Sequence, residues 1–339
     1  MSQVFLIMTV ACFLQIPATM TPLVSIIIPT YNRAKYVTRA IEAIQGQAFT
    51  AWELIIVDDG SSDETSSVVR EISELDSRVI LIVQKNAGVS QARCTGMAAM
   101  NASSKYLLFH DDDDWLVEDA LTILTDGAAS HPTAPAVIGF ARHCDADGIS
   151  DETVKNCFGS KRMSVSKAGL VSFPKMETPE SVATLSVWCS IATPGQVLIR
   201  RSAFEQTRGF LTECQPSDDW LLWMELASIG DLPRLCAFTL NKLEHAGAVN
   251  KNSSMMAGAE EAVRFHWLRK QGISSQERLI SLQGFLLSIL ANASWALNDF
   301  RNRKVVSGLK QLYRMLKRFM RAATFCVNAY RIRPVVIEG

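Results

Sequence analysis

The chain has 339 residues, enough to bury a substantial core as one large α/β domain with an appendage or as two ordinary domains. Its 34 Lys and Arg balance 34 Asp and Glu, so no net field marks a nucleic-acid binder or an enzyme of acidic substrates. Eight cysteines lie far apart with no C-x-x-C pair, which excludes the usual zinc and redox spacings and reads as reduced thiols of a cytoplasmic protein.

The first twenty residues, MSQVFLIMTVACFLQIPATM, are apolar, but no Lys or Arg precedes the run as a signal peptide requires. The run is also short for a spanning helix. With Met20 just ahead of the first strand, it reads as an extension upstream of the true start, the alternative being a weak membrane contact. Short β-branched runs then predict strands at Val24 to Ile28, Trp52 to Val57, Val79 to Val83 and Tyr106 to Phe109, with helices between them. Polar segments follow each strand: PTYNR, DDGSSDE, QKNAG and HDDDD. In an open α/β sheet these gather at the carboxyl edge, where ligands bind. After Pro132 the pattern loosens, and it returns at Gly195 to Arg200 and in a helical run from Asp219 to Ile229. From about Met256 the chain reads as helix. It ends in a basic tail in which Leu309, Leu312, Leu316, Phe319 and Met320 recur at helical spacing, with Lys310, Arg314, Lys317 and Arg321 on the other side.

The strongest chemical signal is FHDDDDW, Phe109 to Trp115. Adjacent carboxylates at the end of a buried strand repel one another unless a cation or dense hydrogen bonding neutralises them. Mg²⁺ or Mn²⁺ suits such a site, taking one or two protein carboxylates and completing its shell with water and substrate phosphate. The bland alternative is a solvated turn with Asp114 capping the next helix. In VDDGSSDET, Asp58 and Asp59 end a strand, Gly60 permits a tight turn, and Ser61 to Asp63 offer cap acceptors. A paired Asp there can also accept from a base N–H or a ribose hydroxyl. KNAGVSQAR supplies Gly88, a helix N-terminus and Arg93, an element that suits a diphosphate. The absence of a Walker A lysine or a G-x-G-x-x-G argues against a P-loop NTPase or a dinucleotide dehydrogenase. In SDDWLLWMELA, Asp219 opens a helix beside Trp220 and Trp223. It is either a residue stabilised by the helix dipole or a general base for an acceptor hydroxyl. His245 is a lone loop histidine, a type usually exposed.

Taken in order, VSIIIPTYNR, WELIIVDDGSSDET, NAGVSQARCTGM, YLLFHDDDDW, LIRRSAFEQTRGF and SDDWLLWMELASIG resemble the family 2 glycosyltransferases from Pro22 to about Ser254. The resemblance implies a GT-A-like, mostly parallel α/β sheet flanked by helices, and an inverting, metal-dependent transfer from a nucleoside-diphosphate sugar. It assigns Pro29, Thr30 and Tyr31 to the nucleotide pocket and Asp59 to the base. Asp111 and Asp113 match the D-x-D pair, with Asp113 the better metal ligand and Asp112 between them on the donor side. Asp219 matches the catalytic base and His245 a histidine near the donor diphosphate. Three positions depart from the family pattern. Asp218 stands where Glu is common, Glu225 where Arg is frequent, and Arg208 where a second Gly is common. No proposed catalytic carboxylate is lost, so activity is expected, and the Glu225 change is expected to alter acceptor or phosphate contacts.

The expected organisation is an apolar extension over 1–21, a GT-A domain over 22–255 and a helical extension over 256–339. The expected partners are a nucleotide-sugar donor and a saccharide or lipid-linked acceptor, with no nucleic acid. A peripheral contact with the cytoplasmic face of a membrane through the basic helix stands against packing of that helix on the catalytic domain or on a partner subunit. The competing functions are a nucleotidyltransferase, which would not need Asp219, and a non-catalytic sugar-binding relative.

Overall fold

The computed structural model describes residues 21–145, 179–187, 189–245 and 253–286, and beyond these residues 301, 305, 306, 309, 312, 313 and 316. The apolar run over 1–20 and the tail residues Lys310, Arg314, Lys317, Phe319, Met320 and Arg321 lie outside the described residues.

Four strands lie where the apolar runs predict them. β1 (Val24–Thr30) leads through α1 (Ala34–Gln45) to β2 (Trp52–Asp58), then through α2 (Thr65–Leu75) to β3 (Val79–Val83), and through α3 (Val89–Ala99) to β4 (Tyr106–Phe109). β1 pairs in parallel with β2 and with β4, and β2 with β3. Successive side chains of a strand point to opposite faces, so a strand buried on both faces must be apolar throughout. Ile26, Ile28, Leu54 and Ile56 accordingly pack on one side with Val37, Ile41 and Ile44 of α1. Ile27, Ile55, Val57 and Phe109 pack on the other, in the layer that holds Ala92 of α3. Gly96 allows α3 to lie this close, because a Cβ there would stand 2.5 Å from Cγ2 of Ile27.

The rest of the sheet is built differently. β5 (Trp115–Leu116) and α4 (Ala120–Ser130) lead to β6 (Ala136–Cys144). α5 (Val182–Val187), β7 (Val197–Arg200), the single turn α6 (Arg201–Phe204), α7 (Asp218–Ile229), β8 (Arg234–Leu243) and α8 (Ser253–Leu268) follow. The eight strands run in the order β3-β2-β1-β4-β7-β6-β8-β5. Four of the seven pairings are parallel and three are antiparallel, so the sheet is mixed, its antiparallel part falling in the region where the sequence pattern loosens.

The mixed half places the site. β8 hydrogen-bonds to β5, directly after the Asp run, and so brings Lys242 and Leu243 to the acidic loop. α7 is buried along almost its whole length, with Trp220, Leu221, Trp223 and Met224 in the same core layer as α3. Both helices therefore open at the carboxyl edge of the parallel strands.

Candidate active site

The four aspartates after β4 alternate between two environments. Asp111 and Asp113 keep 30% and 19% of their side chains exposed, whereas Asp112 and Asp114 keep 12% and none. The buried pair is tied inward. Thr30 Oγ1 at the end of β1 donates to Asp112 at 2.7 Å, with Arg33 at 3.9 Å. Asp114 accepts from the Leu243 amide at 3.1 Å and meets Lys242 Nζ at 3.9 Å. Burial pushes the pKa of Asp112 and of Asp114 up to about 7, with Thr30 and Lys242 respectively acting against it. The capping role considered for Asp114 is not what it does. The next helix, α4, begins at Ala120, and Asp114 instead joins the loop to β8.

The exposed pair differs in how much of each carboxylate is free. Both oxygens of Asp111 are taken, Oδ1 by Arg93 at 3.1 Å and Oδ2 by Thr193 Oγ1 at 2.9 Å. Burial opposes its charge, but Arg93, Lys242 and the Thr193 hydroxyl together outweigh burial and the pKa falls below the ordinary carboxylate value. Asp113 Oδ2 lies 2.9 Å from His245 Nε2, and the His245 ring stacks on Tyr36 with centroids 5.6 Å apart. His245 is thus mostly buried and held against the acidic loop, unlike the exposed histidine its loop setting suggests. Thr193 was not foreseen. Its hydroxyl also lies 2.8 Å from Asp114 Oδ2 and so holds two carboxylates at once.

Asp59 does not point freely into solvent. Its Oδ1 accepts from Gln84 Nε2 at 2.7 Å and from the Ala87 amide at 2.8 Å, and its Oδ2 from the Gly88 amide at 2.8 Å. Gly88 has φ 90°, a conformation that favours glycine, and it turns the chain into α3 while presenting that amide. Two amides that the sequence offers to a diphosphate are therefore donated to Asp59. Asp58 caps its own loop, accepting from the Ser61 amide at 2.9 Å and from Ser66 Oγ in the first turn of α2. Pro29 and Thr30 end β1, and Tyr31 follows with 48% of its surface exposed.

Arg93 joins the two acidic clusters that are more than a hundred residues apart in the chain. One terminal nitrogen lies 3.1 Å from Asp111, the other 3.3 Å from Asp218, and the guanidinium packs over Phe210 at 4.7 Å. Asp218 also accepts from Ser90 Oγ at 2.7 Å, and Ser90 in turn accepts from Gln215. Asp219 receives only the Trp220 amide, at 2.8 Å, among the described residues. Burial first, and then the neighbouring Asp218 charge, raise its pKa to about 7, a value suited to a base working near neutrality.

Glu225, two turns further along α7, is fully buried. It accepts from the backbone amide of Arg208 at 2.7 Å and from Arg208 Nε at 2.5 Å, with Lys270 Nζ at 3.8 Å. Two of the three departures from the family pattern, Arg208 and Glu225, are thus partners. A buried Glu225 engaged by Arg208 has no surface to offer an acceptor, so the expectation that it alters acceptor or phosphate contacts gives way to a structural ion pair.

A family model described as glycosyl transferase family 2 matches residues 25–208, more than half of the chain. The chain belongs to this family. The family 2 glycosyltransferase is 26% identical over 190 residues to the putative teichuronic acid biosynthesis glycosyltransferase TuaG of Bacillus subtilis, 51% of this chain and 73% of that protein. It is 32% identical over 126 residues to glycosyltransferase GlyA of Streptococcus pneumoniae, 37% of this chain but 18% of that one. A Campylobacter jejuni GalNAc(5)-diNAcBac-PP-undecaprenol beta-1,3-glucosyltransferase is 38% identical over 109 residues, 32% of this chain and 35% of the other. The chain therefore spans a minor part of the length of two of these three relatives. Among solved structures, S. aureus TarS in complex with UDP-GlcNAc has a TM-score of 0.57 at 18% identity, covering 89% of this chain and 81% of that one. Mannosyltransferase PcManGT from Pyrobaculum calidifontis, in complex with GDP-Man and Mn²⁺, has a TM-score of 0.54 at 17% identity, covering 90% and 87%. These likenesses establish the GT-A fold of the chain.

Among the described residues, no group of three or more His, Cys, Asp or Glu side chains is arranged to hold a metal by itself. The donor set fits a different arrangement. The partly exposed carboxylate of Asp113 stands beside His245. Mg²⁺ and Mn²⁺ characteristically bind through one or two carboxylates and draw their remaining ligands from phosphate and water. Asp111, with Arg93 and Thr193 on its two oxygens, contributes charge to that position more readily than a free ligand atom.

Proposed function

We propose that this protein is an inverting glycosyltransferase that moves a sugar from a nucleoside-diphosphate donor to a hydroxyl of a saccharide or lipid-linked acceptor at the cytoplasmic face, in the synthesis of a surface polysaccharide or glycan. The observation that carries this reading is the Arg93 bridge. It ties Asp111 in the acidic loop to Asp218 at the start of α7, and so holds the partly exposed Asp113 and the raised-pKa Asp219 at one sheet edge.

On this reading Tyr31 offers its exposed face to the base, while Pro29 and Thr30 form the adjoining wall. Asp59 shapes the base-binding loop by fixing Ala87 and Gly88. Asp112 supports that wall through Thr30. Asp113, assisted by Asp111, holds a divalent cation, and His245 stands at the diphosphate end. When bound, Mn²⁺ or Mg²⁺ neutralises charge developing on the leaving diphosphate. Asp219 takes the proton of the acceptor hydroxyl as that oxygen forms its bond to the anomeric carbon. The bond from that carbon to the diphosphate oxygen breaks on the opposite face, so the configuration inverts and the nucleoside diphosphate departs. Arg93 stays charged between its carboxylates, because attraction to Asp218 and Asp111 outweighs its burial. It leaves Asp219 as the carboxylate of the α7 pair without a cation at hydrogen-bonding distance among the described residues.

Two features support the acceptor class: the Campylobacter relative acts, by its name, on an undecaprenol-linked glycan, and TuaG is named as a putative glycosyltransferase of teichuronic acid biosynthesis. The test is release of nucleoside diphosphate from a panel of UDP- and GDP-sugars with Mn²⁺, with and without extracted lipid-linked oligosaccharides. Metal-dependent release stimulated by acceptor is expected. No release from any nucleotide sugar would refute the enzyme reading, and pyrophosphate release from a nucleoside triphosphate would point to the nucleotidyltransferase instead.

A further inference from the structure

What keeps Arg93 on Asp218 rather than on Asp219 is built outside the acidic clusters themselves. Ser90 stands three residues before Arg93 in α3, so the two share one helix face. Both grip the same atom. Ser90 Oγ donates to Asp218 Oδ2 at 2.7 Å, and a terminal nitrogen of Arg93 meets that oxygen at 3.3 Å. Ser90, Arg93 and Asp218 are each 5% exposed or less, so this grip is made away from water. Gln215, in the turn ahead of α7, donates its side-chain amide to Ser90 Oγ. A serine hydroxyl has one proton, and with Gln215 filling an acceptor position that proton is directed at Asp218. Gln215 itself rests over the start of α3, where a Cβ on Gly88 would stand 3.7 Å from its Nε2.

The alternative for Arg93 is one residue away. Its Nε is buried and makes no hydrogen bond among the described residues, so the guanidinium carries a donor that a second carboxylate would satisfy. Asp219 has room for that donor, since it receives only the Trp220 amide among the described residues. Pairing with Arg93 would leave Asp219 a carboxylate bound to a cation, which takes up a proton poorly. Asp218, Arg93 and Asp111 are the charged groups that face Asp219, the first and last favouring its protonation and Arg93 opposing it. The Cys189 thiol also faces it, and burial keeps that thiol protonated.

We propose that Ser90 and Gln215 are positioning residues, a latch that fixes Asp218 on Arg93 and thereby keeps Arg93 from pairing with Asp219. The latch matters to catalysis only on the reading of Asp219 as the base, but its effect on the Asp219 proton is measurable without turnover. If the latch is opened, Asp219 loses proton affinity by either of two routes. Arg93 turns to it, or Asp218, no longer supported, takes up a proton and ceases to repel the Asp219 charge.

The experiment is a carbon-13 titration of the full chain labelled at its aspartate carboxyl carbons, with the Asp219 signal identified by its absence from Asp219→Asn. In the unaltered protein Asp219 is expected to titrate at about 7, well above the usual aspartate range. Ser90→Ala should weaken its proton affinity at least about tenfold, and Ser90→Thr, which keeps the hydroxyl, should restore it. Gln215→Met keeps the length of the side chain without its donor and should move the titration the same way, though less far. Unchanged Asp219 titration in folded Ser90→Ala overturns the proposal, as does unchanged titration in Gln215→Met where Ser90→Ala does not fold. A lower melting temperature with the titration unmoved would make both residues purely structural, which equally overturns it. A shifted titration in Ser90→Ala together with normal turnover by Asp219→Asn would remove Asp219 as the base while upholding the latch.

Discussion

Replacing Arg208 by Met removes the guanidinium that engages Glu225 while keeping most of the stem. Glu225 is fully buried, so the variant strands a carboxylate inside the protein. Breaking a buried ion pair by deleting one partner costs ~3–5 kcal/mol. The Arg208 backbone amide still donates to Glu225, and Lys270 remains 3.8 Å away, so the loss should sit at the low end, ~3 kcal/mol. Glu225→Gln is gentler. Arg208 is 35% exposed and can turn to water, and the Gln oxygen still accepts from the amide, so ~1–2 kcal/mol is expected. The double variant carries no stranded charge and should be more stable than Arg208→Met alone. Urea unfolding followed by tryptophan fluorescence is a suitable assay, because Trp220 and Trp223 lie buried in the same helix as Glu225. Additive losses in the double variant, or an Arg208→Met loss below ~0.5 kcal/mol, would refute the view that these two departures from the family pattern are one compensating pair.

The pH dependence follows from Asp219. A base acts in its deprotonated form, and with its pKa raised to about 7 the rate under kcat/KM conditions should fall as pH drops through that value and level off above it. A profile flat from pH 5 to 8 would remove Asp219 from the role. Thr193→Val deletes the hydroxyl between Asp111 and Asp114 and leaves both without that partner. We expect a fall in Mn²⁺ affinity during donor binding of about tenfold, measured by calorimetry, with ~1–3 kcal/mol of stability lost. Unchanged metal affinity would make Thr193 a purely structural residue.

Much of the parallel half was legible because β1, β2 and β4 are buried along their length and read as near-continuous apolar runs, and VILIV of the edge strand β3 is as apolar although half-exposed, so VSIII, WELIIV, VILIV and YLLF have few other readings. The polar residues closing those strands followed at once. β8 hid itself because its first half is only partly buried and its buried run, Thr239 to Asn241, includes two polar residues, so RLCAFTLNKL carries Arg, Asn and Lys within a strand. β5 is two residues long and offers no pattern. Thr193 stands before a Pro-Gly pair and reads as part of a turn. Lys242 reads as a surface lysine, although Asp114 and Asp111 hold it charged and largely buried. The alternation within the Asp run was half visible: the D-x-D spacing names Asp111 and Asp113, but only contacts from β1 and β8 turn Asp112 and Asp114 inward. The Arg93 bridge and the Arg208–Glu225 pair join residues 125 and 17 positions apart on different elements, a proximity that no local pattern encodes.

The division of labour between the acidic clusters is tested most directly by measuring donor binding and transfer on the same two variants. Asp219→Asn should bind a nucleotide sugar with Mn²⁺ as tightly as the unaltered protein and transfer it ~10²- to 10⁴-fold more slowly, whereas Asp113→Ala should lose the metal-dependent part of donor binding. Normal turnover by Asp219→Asn, or undiminished Mn²⁺-dependent donor binding by Asp113→Ala, would contradict the assignment.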